Sequence, residues 1–432
     1  MANLESYWVP FTSNRSFKKE PRLLARAEGM YFWNVEGERI LDGCSGLFCC
    51  ALGHGRREIG EAIARQYAEL DYGPAFQYSH PGAFELASQL AAVTPGDLNR
   101  FFFVGSGSES VDTAMKIALR YHRSRGDGQR QRFVGRERGY HGVNFGGLSL
   151  GGLVKNRESF GAGLPGVVHM RHTWLEENRF APGQPERGTE LADDLQRLID
   201  LYGGDTIAAC FVEPIAGSTG ILVPPRGYLE RLREICDRTG ILLVFDEVIT
   251  GFGRTGHAFG AQAFGVLPDV MTLAKALTNG AVPMGAVAVR EEIYECVTSS
   301  AAEGEIELFH GYTYSAHPLA CAAASATQTI YREEGIFERA AALAPYFQER
   351  VFALRDLGIV RDIRGYGVLA GLDLELDDRA GKRGFAALQR LFAAGLVVRV
   401  TGDTLILAPA LIAEREHVDQ ICEIVRSVLA SL

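Results

Sequence analysis

Lysine is scarce in this sequence, and acidic residues outnumber basic ones. Only six of the 44 basic residues are lysine, and the 53 acidic residues give a formal net charge of −9. This balance argues against a surface that attracts nucleic acid or anionic lipid, so we expect neither partner. Chemistry that needs a primary amine has six candidates, which are Lys18, Lys19, Lys116, Lys155, Lys275 and Lys382.

Long apolar runs and paired-cysteine motifs are also missing. No apolar stretch approaches the roughly 20 residues that cross a bilayer, and residues 1–20 mix charges, proline and aromatic residues, unlike a signal peptide. The eight cysteines have no Cys-x-x-Cys pair and no regular spacing, a pattern that indicates neither a zinc site nor a disulfide framework. We therefore expect a cytoplasmic protein with reduced, mostly buried cysteines and no metal.

The composition is that of a folded globular protein, with 432 residues, 47 % of them hydrophobic and 22 % charged. Short apolar runs alternate with helix-periodic stretches, which is typical of an α/β domain with a mainly parallel sheet. The predicted strands cover residues 101–104, 207–212, 241–245, 270–273 and 286–289. Helices are predicted over 110–122 and 228–238. Two helical stretches after about residue 326 enclose β-rich parts at 361–376 and 396–408, which indicates a smaller α+β unit.

Three polar side chains lie directly after predicted strands. Glu213 and Asp246 follow the second and third of these strands, and Lys275 lies just after the fourth. Ligands collect at the carboxyl ends of parallel strands, so we expect two carboxylates and one amine to converge on one cleft. The alternative is that each residue is polar only because the chain reaches solvent there.

Residues 105–109, Gly-Ser-Gly-Ser-Glu, connect the first predicted strand to a helix. The free N–H groups of a helix N-terminus, the hydroxyls of Ser106 and Ser108, and the small Gly107 predict a cradle for a phosphate group. Ser110 replaces the third glycine of a dinucleotide-binding fingerprint, and no Gly-Lys-Ser/Thr follows as in a Walker loop. The alternative is a plain strand-to-helix turn capped by serine.

Lys275 lies in an apolar segment, Leu-Ala-Lys-Ala-Leu, just after a predicted strand, whereas Lys116, which also has apolar neighbours, lies on a predicted helix. Desolvation lowers the pKa of an amine, which suits a lysine that forms a Schiff base with a carbonyl. A phosphate cradle together with such a lysine points to pyridoxal phosphate. Asp246 is then placed to keep the pyridine nitrogen protonated. Tyr140, in the glycine-flanked segment 139–142, offers an aromatic face for the ring.

Together these motifs resemble the class III (omega) aminotransferases, which have the pyridoxal-phosphate type I fold. The matching motifs run over nearly the whole chain, at residues 10–12, 53–55, 105–109, 139–142, 212–214, 246–256, 274–275 and 311–318. Within the family, the sequence is most similar to the omega-amino acid:pyruvate group, which includes β-alanine:pyruvate transaminases. That similarity lies in residues 245–250, 280–285 and 398–404.

The resemblance implies an α/β fold in which a large domain with a mainly parallel, seven-stranded sheet is joined to a smaller α+β domain. We expect residues 1–60 to contribute to the small domain and to the substrate pocket. Residues 61–325 are expected to form the large cofactor-binding domain, and residues 326–432 the C-terminal small domain. The resemblance also implies a homodimer, or a tetramer, in which each site is shared between subunits.

The resemblance further implies roles around the cofactor. Lys275 forms the Schiff base and transfers the proton, and Asp246 pairs with the pyridine nitrogen. Val248 packs under the ring, and Tyr140 stacks above it. The other cofactor contacts that it implies are Ser106, Gly107, Ser108, His141, Glu213 and Thr313, the last reaching the phosphate from the other subunit.

Arg399 matches the arginine that pairs with the substrate α-carboxylate in this family. A planar guanidinium suits such a bidentate contact. Without the resemblance, Arg399 is one of 38 arginines, and a surface position is the simpler interpretation. The substrate pocket implied by the resemblance also contains Phe11, Phe48, Phe76, Tyr140, Ala216 and Ile249.

Three departures from the family bear on the substrate. In the branch that handles 4-aminobutyrate and ornithine, a glutamate that neutralises the substrate arginine stands where this chain has Ser218, and a glutamine stands in place of Ile249. Both changes favour the omega-amino acid:pyruvate group. The tryptophan usual in that group is Phe48 here, a smaller aromatic residue that widens the pocket.

We therefore expect a pyridoxal-phosphate-dependent transaminase that moves the amino group of an omega-amino acid such as β-alanine, or of a primary amine, to pyruvate. Alanine and an aldehyde or ketone are the products, and the kinetics are ping-pong. The alternatives are a 4-aminobutyrate or diamine:2-oxoglutarate aminotransferase and a taurine:pyruvate aminotransferase. Aminomutases and decarboxylases share the fold, whereas a non-catalytic relative is expected to have lost Lys275 or the phosphate cradle.

Overall fold

The computed structural model describes residues 3–432, and the strands in this range form three sheets. In chain order the strands are β1 Leu24–Glu28, β2 Tyr31–Asn34, β3 Arg39–Asp42, β4 Arg100–Val104, β5 Arg132–Arg136, β6 Val167–Met170, β7 Ile207–Val212, β8 Leu242–Asp246, β9 Val270–Leu273, β10 Gly285–Val289, β11 Val360–Tyr366, β12 Leu369–Leu374, β13 Leu396–Val397, β14 Arg399–Thr401 and β15 Thr404–Leu407.

Helices separate most of these strands. In chain order they are α1 Asn14–Phe17, α2 Ser45–Phe48, α3 Arg57–Glu69, α4 Pro81–Ala91, α5 Gly107–Ser124, α6 Phe145–Leu150, α7 Val154–Arg157, α8 Asp193–Tyr202, α9 Tyr228–Thr239, α10 Gly260–Phe264, α11 Glu291–Thr298, α12 Pro318–Glu333, α13 Ile336–Phe352, α14 Lys382–Ala393 and α15 Arg415–Ala430. The helices predicted over 110–122 and 228–238 lie inside α5 and α9.

Seven strands form the central sheet, in the order β4-β10-β9-β8-β7-β5-β6. Strand β10 is antiparallel to both of its neighbours, and the other pairs are parallel. The prediction of a mainly parallel, seven-stranded sheet is therefore confirmed. Along β8, Leu243 and Phe245 join one apolar cluster and Val244 joins another, because a sheet covered on both faces buries successive side chains on opposite sides.

The predicted strands correspond to β4, β7, β8, β9 and β10, and their ends differ by at most one residue. Strands β5 and β6 are missing from the prediction. In β5 only three residues separate Arg132 from Arg136, and β6 contains His169 and lies at the edge of the sheet. Apolar runs this short have no periodicity that distinguishes a strand from a loop.

The two ends of the chain meet in a separate small sheet. Strands β1, β2 and β3 form an antiparallel meander, and β13 pairs in parallel with β3. The third sheet is antiparallel, in the order β11-β12-β15-β14. The domain boundaries expected at residues 60 and 325 stay a prediction, and α12 runs without a break across the second of them.

This architecture brings the carboxyl ends of β4, β7, β8 and β9 to one edge of the central sheet. The phosphate-cradle segment follows β4, Glu213 follows β7, Asp246 ends β8 and Lys275 follows β9. The polar residues singled out from the sequence therefore share one edge. Within residues 3–432, none of the helices is both long and apolar enough to cross a membrane.

Candidate active site

A cleft of about 160 Å³ opens at this edge of the sheet. Residues from the ends of the strands, from the start of α5 and from the loop after β5 line it. They are Ser106, Gly107, Ser108, Tyr140, His141, Gly142, Glu213, Asp246, Val248, Ile249, Ala274 and Lys275. The structure thus brings together every residue predicted to contact the cofactor except Thr313.

Lys275 begins a 3₁₀ turn directly after β9 and has a left-handed φ of 51°. Burial lowers the pKa of its amine to about 8, and the negative charges of Asp246 and Glu213 partly oppose this shift. The Nζ atom lies 5.4 Å from the centre of the Phe48 ring. Part of this amine is therefore neutral at neutral pH, the form that attacks a carbonyl.

Asp246 is held from two sides at the end of β8. Its Oδ2 lies 2.8 Å from Nδ1 of His141, and its Oδ1 accepts a hydrogen bond from the N–H of Val248 at 3.2 Å. Asp246 is 5 % exposed and His141 is 2 % exposed. These contacts fix the direction of a buried carboxylate that lines the cleft, and such a group stabilises a proton on a nearby ring nitrogen.

Helix α5 begins at the cleft with the residues of the predicted phosphate cradle. Ser106 is the N-cap, and its Oγ accepts a hydrogen bond from the N–H of Glu109 at 3.2 Å. The N–H groups of Gly107 and Ser108 belong to the first turn and have no intrahelical partner. A side chain at position 107 would meet Val248 at 3.3 Å. Ser106 therefore caps the helix, and the N-terminus still opens into the cleft, so the two interpretations of this segment coexist.

The loop that carries Tyr140 is anchored on both sides. Oε1 of Glu213 accepts a hydrogen bond from the N–H of Tyr140 at 3.0 Å, and Oε2 accepts one from Gly217 at 2.9 Å. Burial raises the pKa of the Glu213 carboxyl. At Gly142, where φ is 98°, a Cβ atom would lie 2.5 Å from Oγ of Ser108. Only glycine lets the loop approach α5 this closely.

Arg399, the first residue of β14, lies beside the cleft. Its positive charge contributes to the lowered pKa of Lys275. Burial raises the pKa of Tyr140, and the same charge opposes that rise. Arg364 pairs with two aspartates, whereas Arg399 forms no salt bridge within residues 3–432. A guanidinium without a carboxylate partner is thus available beside the cleft.

The apolar residues expected in the substrate pocket occupy different positions. Ile249 lines the cleft. Ala216 is fully buried and pairs with Leu222 in an isolated bridge. Phe48 is 3 % exposed and turns its ring toward Lys275. Ile249 and Phe48 thus place apolar groups near the amine, whereas Ala216 is not among the residues that line the cleft.

Three predicted site residues lie outside the cleft of a single chain. Phe11 and Phe76 are 75 % and 58 % exposed. Thr313 is also exposed, and its carbonyl accepts a hydrogen bond from the Tyr72 hydroxyl at 3.2 Å. Their roles stay predictions.

Two features beside the cleft were not found from the sequence. Asp42 accepts a hydrogen bond from the N–H of Gly46 at 2.7 Å and contacts Nε2 of His54 at 2.8 Å. This carboxylate therefore anchors the segment that carries Phe48. Cys49 and Cys50, in the same segment, have thiols 3.9 Å apart. Their adjacency in the sequence was the only available signal.

Comparison with known proteins identifies the family. The family model described as aminotransferase class-III matches residues 12–429. The chain belongs to the class-III aminotransferases. An omega-aminotransferase of Caulobacter vibrioides is 54 % identical over all of this chain and 98 % of that protein. A beta-alanine–pyruvate aminotransferase of Pseudomonas aeruginosa is 47 % identical over 99 % of this chain and 96 % of that protein.

A solved structure extends this similarity to the fold. The thermostable (S)-enantioselective omega-transaminase of Thermomicrobium roseum superposes on this class-III aminotransferase with a TM-score of 0.92. The match covers 99 % of this chain and 96 % of that one, at 36 % identity. The predicted family and fold are therefore confirmed. Class-III aminotransferases use pyridoxal phosphate, and so does this protein.

The cleft of this class-III aminotransferase fits that cofactor. The open helix N-terminus at Gly107 suits the phosphate, and a side chain there would crowd Val248. The buried Asp246 suits the pyridine nitrogen, and the amine of Lys275 suits the aldehyde. All three groups line one cleft.

Proposed function

We propose that this class-III aminotransferase moves the amino group of an omega-amino acid such as β-alanine, or of a primary amine, to pyruvate. The observation that carries the proposal is the guanidinium of Arg399, which lies beside the cleft and has no salt bridge within residues 3–432. Such a group binds the carboxylate of a keto acid through two parallel hydrogen bonds. The similarity to a protein named for β-alanine and pyruvate supports the same pair of substrates.

The apolar residues expected in the substrate pocket favour pyruvate over 2-oxoglutarate. Ile249 lines the cleft, Phe48 faces Lys275, and Ala216 is buried. The second carboxylate of 2-oxoglutarate would lie among these apolar groups without a charged partner. A buried charge left without its partner costs about 3–5 kcal/mol. Ser218, which is 5 % exposed, offers a hydroxyl but no charge. Pyruvate has only the one carboxylate that Arg399 can bind.

We propose the following roles in the reaction. Bound pyridoxal phosphate supplies the electron sink on which transamination depends. Lys275 would hold the cofactor through its aldehyde, and its amine, whose pKa is lowered, would then carry a proton on Nζ at the substrate carbon. Asp246 keeps the pyridine nitrogen protonated, and His141 orients Asp246. Arg399 orients the keto acid by its carboxylate.

The remaining proposed contacts hold the cofactor in place. Val248 and Tyr140, which line the cleft, would pack on the two faces of its ring, and Glu213 fixes the loop of Tyr140 by accepting a hydrogen bond from its N–H. The residues proposed to bind the phosphate are Ser106, Gly107, Ser108 and, from the second subunit, Thr313.

A panel of substrates tests the proposed function. The holoenzyme would receive β-alanine, 4-aminobutyrate, 6-aminohexanoate, taurine and 1-phenylethylamine, each with pyruvate and with 2-oxoglutarate. We expect alanine to form with pyruvate and β-alanine or an amine, and 2-oxoglutarate to be used poorly. Faster turnover of 4-aminobutyrate with 2-oxoglutarate than of β-alanine with pyruvate would contradict the proposal. A preference for taurine would contradict β-alanine as the proposed amino donor. Lys275→Ala, which lacks the reactive amine, is the control and should show no transamination.

We further propose a homodimer with shared sites. Residues 72–84 and 309–316 lie against each other, with the rings of Tyr72 and Tyr314 6.4 Å apart. The exposed aromatic residues in these two segments are Tyr72, Phe76, Tyr78, Phe84, Phe309 and Tyr314. A monomer rarely exposes so large an apolar patch, and a second copy would cover it. A cytoplasmic location stays a prediction.

A further inference from the structure

Cys49 and Cys50 form a pair of adjacent thiols beside the turn that begins with Lys275. Their Sγ atoms lie 3.9 Å apart, and both residues are partly exposed, whereas five of the other six cysteines are buried. A Cβ atom at Gly280 would lie 3.0 Å from Sγ of Cys49 and 3.4 Å from Sγ of Cys50. On the other side, a Cβ atom at Gly46 would lie 3.5 and 3.7 Å from the same sulfurs. The two thiols therefore occupy a slot between two glycines.

The charges around this thiol pair favour one thiolate. The hydrogen bond with Cys50 lowers the pKa of Cys49 to about 6, with a contribution from the positive charge of Lys275, while burial and the charge of Asp42 oppose the shift. The same contact, together with burial, raises the pKa of Cys50, and the positive charge of Arg254 opposes this rise. A thiolate beside a protonated thiol is the arrangement of an attacking and a resolving cysteine.

We propose that Cys49 and Cys50 are a reversible oxidation site that switches off the aminotransferase. The oxidant is hydrogen peroxide. The Cys49 thiolate attacks one peroxide oxygen, the O–O bond breaks, and the sulfur becomes a sulfenic acid as hydroxide leaves. The Cys50 sulfur then attacks the sulfenic sulfur, an S–S bond forms, and water leaves with the thiol proton. Two thiols have lost two electrons, and the peroxide has gained them.

The bond would act on the active site because of where the pair lies. It draws the sulfurs from 3.9 Å to about 2 Å, and so moves the segment that carries Phe48, whose ring faces Lys275. The same segment is tied to the Lys275 turn, since Oδ1 of Asn279 accepts a hydrogen bond from the N–H of Leu52 at 2.8 Å. Neighbouring Cα atoms lie only about 3.8 Å apart, closer than in ordinary disulfides. The strained bond is therefore easily reduced.

The test uses the holoenzyme and measures both bond and activity. After treatment with hydrogen peroxide and alkylation of free thiols, we expect the peptide that contains residues 49 and 50 to have lost two hydrogen atoms and to resist alkylation. Most of the transaminase activity should be lost in parallel and return with dithiothreitol. In Cys50→Ser, oxidation of Cys49 should proceed to the sulfinic acid, and dithiothreitol should no longer restore activity. Cys296→Ser, at the other partly exposed cysteine, is the matched control and should behave like the wild type.

Three results would overturn the proposal. The first is loss of activity without the disulfide, and the second is the disulfide without loss of activity. The third is a double variant, Cys49→Ala with Cys50→Ala, that is inactivated by peroxide as fast as the wild type. If that variant does not fold, the peptide masses and activities of the wild type alone still decide between these outcomes. None of them depends on which amino donor the enzyme uses.

Discussion

Lys275 differs from the other five lysines in its backbone and its surroundings. It is the one with a left-handed φ, and burial lowers the pKa of its amine to about 8. The lowered pKa follows from placing an amine at the end of a buried strand, where water is excluded. The nearby Asp246 and Glu213 carboxylates limit the shift, so the amine still binds a proton near neutral pH.

The pKa of Lys275 predicts how the apoenzyme takes up its cofactor. Because only the neutral amine attacks an aldehyde, and the pKa is lowered, the rate of covalent capture of pyridoxal phosphate should rise with pH and level off above about pH 8. The measurement is the amount of cofactor that borohydride reduction fixes on the protein, followed against time at each pH. Lys275→Ala should trap no cofactor. The reaction of Nα-acetyl-lysine with free pyridoxal phosphate serves as a reference for the effect of pH on the aldehyde itself. A rate that keeps rising toward pH 10.5, the ordinary pKa of lysine, would contradict this prediction.

Replacing Arg399 should affect the reaction with the keto acid much more than the reaction with the amine donor. We predict that Arg399→Ala lowers kcat/KM for pyruvate by about 10- to 100-fold, as expected for the loss of charge-assisted hydrogen bonds, and changes kcat/KM for 1-phenylethylamine much less. Arg399→Lys should recover only part of the loss, because an ammonium group cannot form the bidentate contact. Arg123→Ala, at an exposed arginine, is the control. Equal losses for keto acid and amine would refute the assigned role.

Four of the five predicted strands, β7 to β10, are buried along their whole length, and the fifth, the edge strand β4, has three consecutive phenylalanines. All residues of β7 and β9 are buried, so their apolar runs stand out against the loops. Strand β5, with arginine at both ends, and the edge strand β6 have no such contrast. Pairing between β13 and β3 brings together residues more than 350 positions apart, and no local pattern encodes such a contact.

The same distinction applies to the site. Asp246 and Lys275 could be predicted because each lies directly after a buried strand. The contact of Asp42 with His54 lies in a segment whose apolar residues have no regular spacing, so no sequence motif predicted it. Phe76 and Thr313 lie outside the cleft of one chain, and the resemblance to the family is the only basis for their roles.

Gly142 holds the loop of Tyr140 against the first turn of α5. In Gly142→Ala the Cβ atom would displace Oγ of Ser108, which accepts a hydrogen bond from the N–H of Val143 at 3.0 Å. We predict a loss of about 1–2 kcal/mol in the free energy of unfolding from the left-handed backbone, together with about tenfold weaker cofactor binding from the lost hydrogen bond. Denaturant unfolding and cofactor titration measure the two effects.

A matched glycine separates these two effects. Gly161 has a φ of 82°, and nothing lies within 4 Å of a Cβ atom built there. Gly161→Ala should therefore show a similar loss of stability and unchanged cofactor affinity. If both variants weakened cofactor binding equally, the close approach of Gly142 to α5 would not be required for phosphate binding at the start of that helix.

The proposed dimer connects the exposed aromatic patch to the incomplete cleft. Thr313 lies in the segment 309–316, which contacts Tyr72, and this same segment carries the exposed Phe309 and Tyr314. A second copy that covers the patch would bring its own Thr313 near a neighbouring cleft. Closed two-fold symmetry then gives two equivalent sites, each with Lys275 from one chain and Thr313 from the other. We expect a particle of about 94 kDa, twice the 47.1 kDa of one chain, in sedimentation.

Mixing two inactive variants tests whether the site is shared. Lys275→Ala lacks the amine, and Thr313→Asp places a negative charge where the phosphate of the cofactor is expected, so each homodimer should have little activity. In a mixed dimer with sites shared between chains, one cleft receives both defects, and the other receives an intact Lys275 and an intact Thr313. Activity should therefore reappear after subunit exchange, at about half the wild-type value per mixed dimer. If Thr313 instead served the cleft of its own chain, both clefts of the mixed dimer would be defective, and mixing would restore no activity.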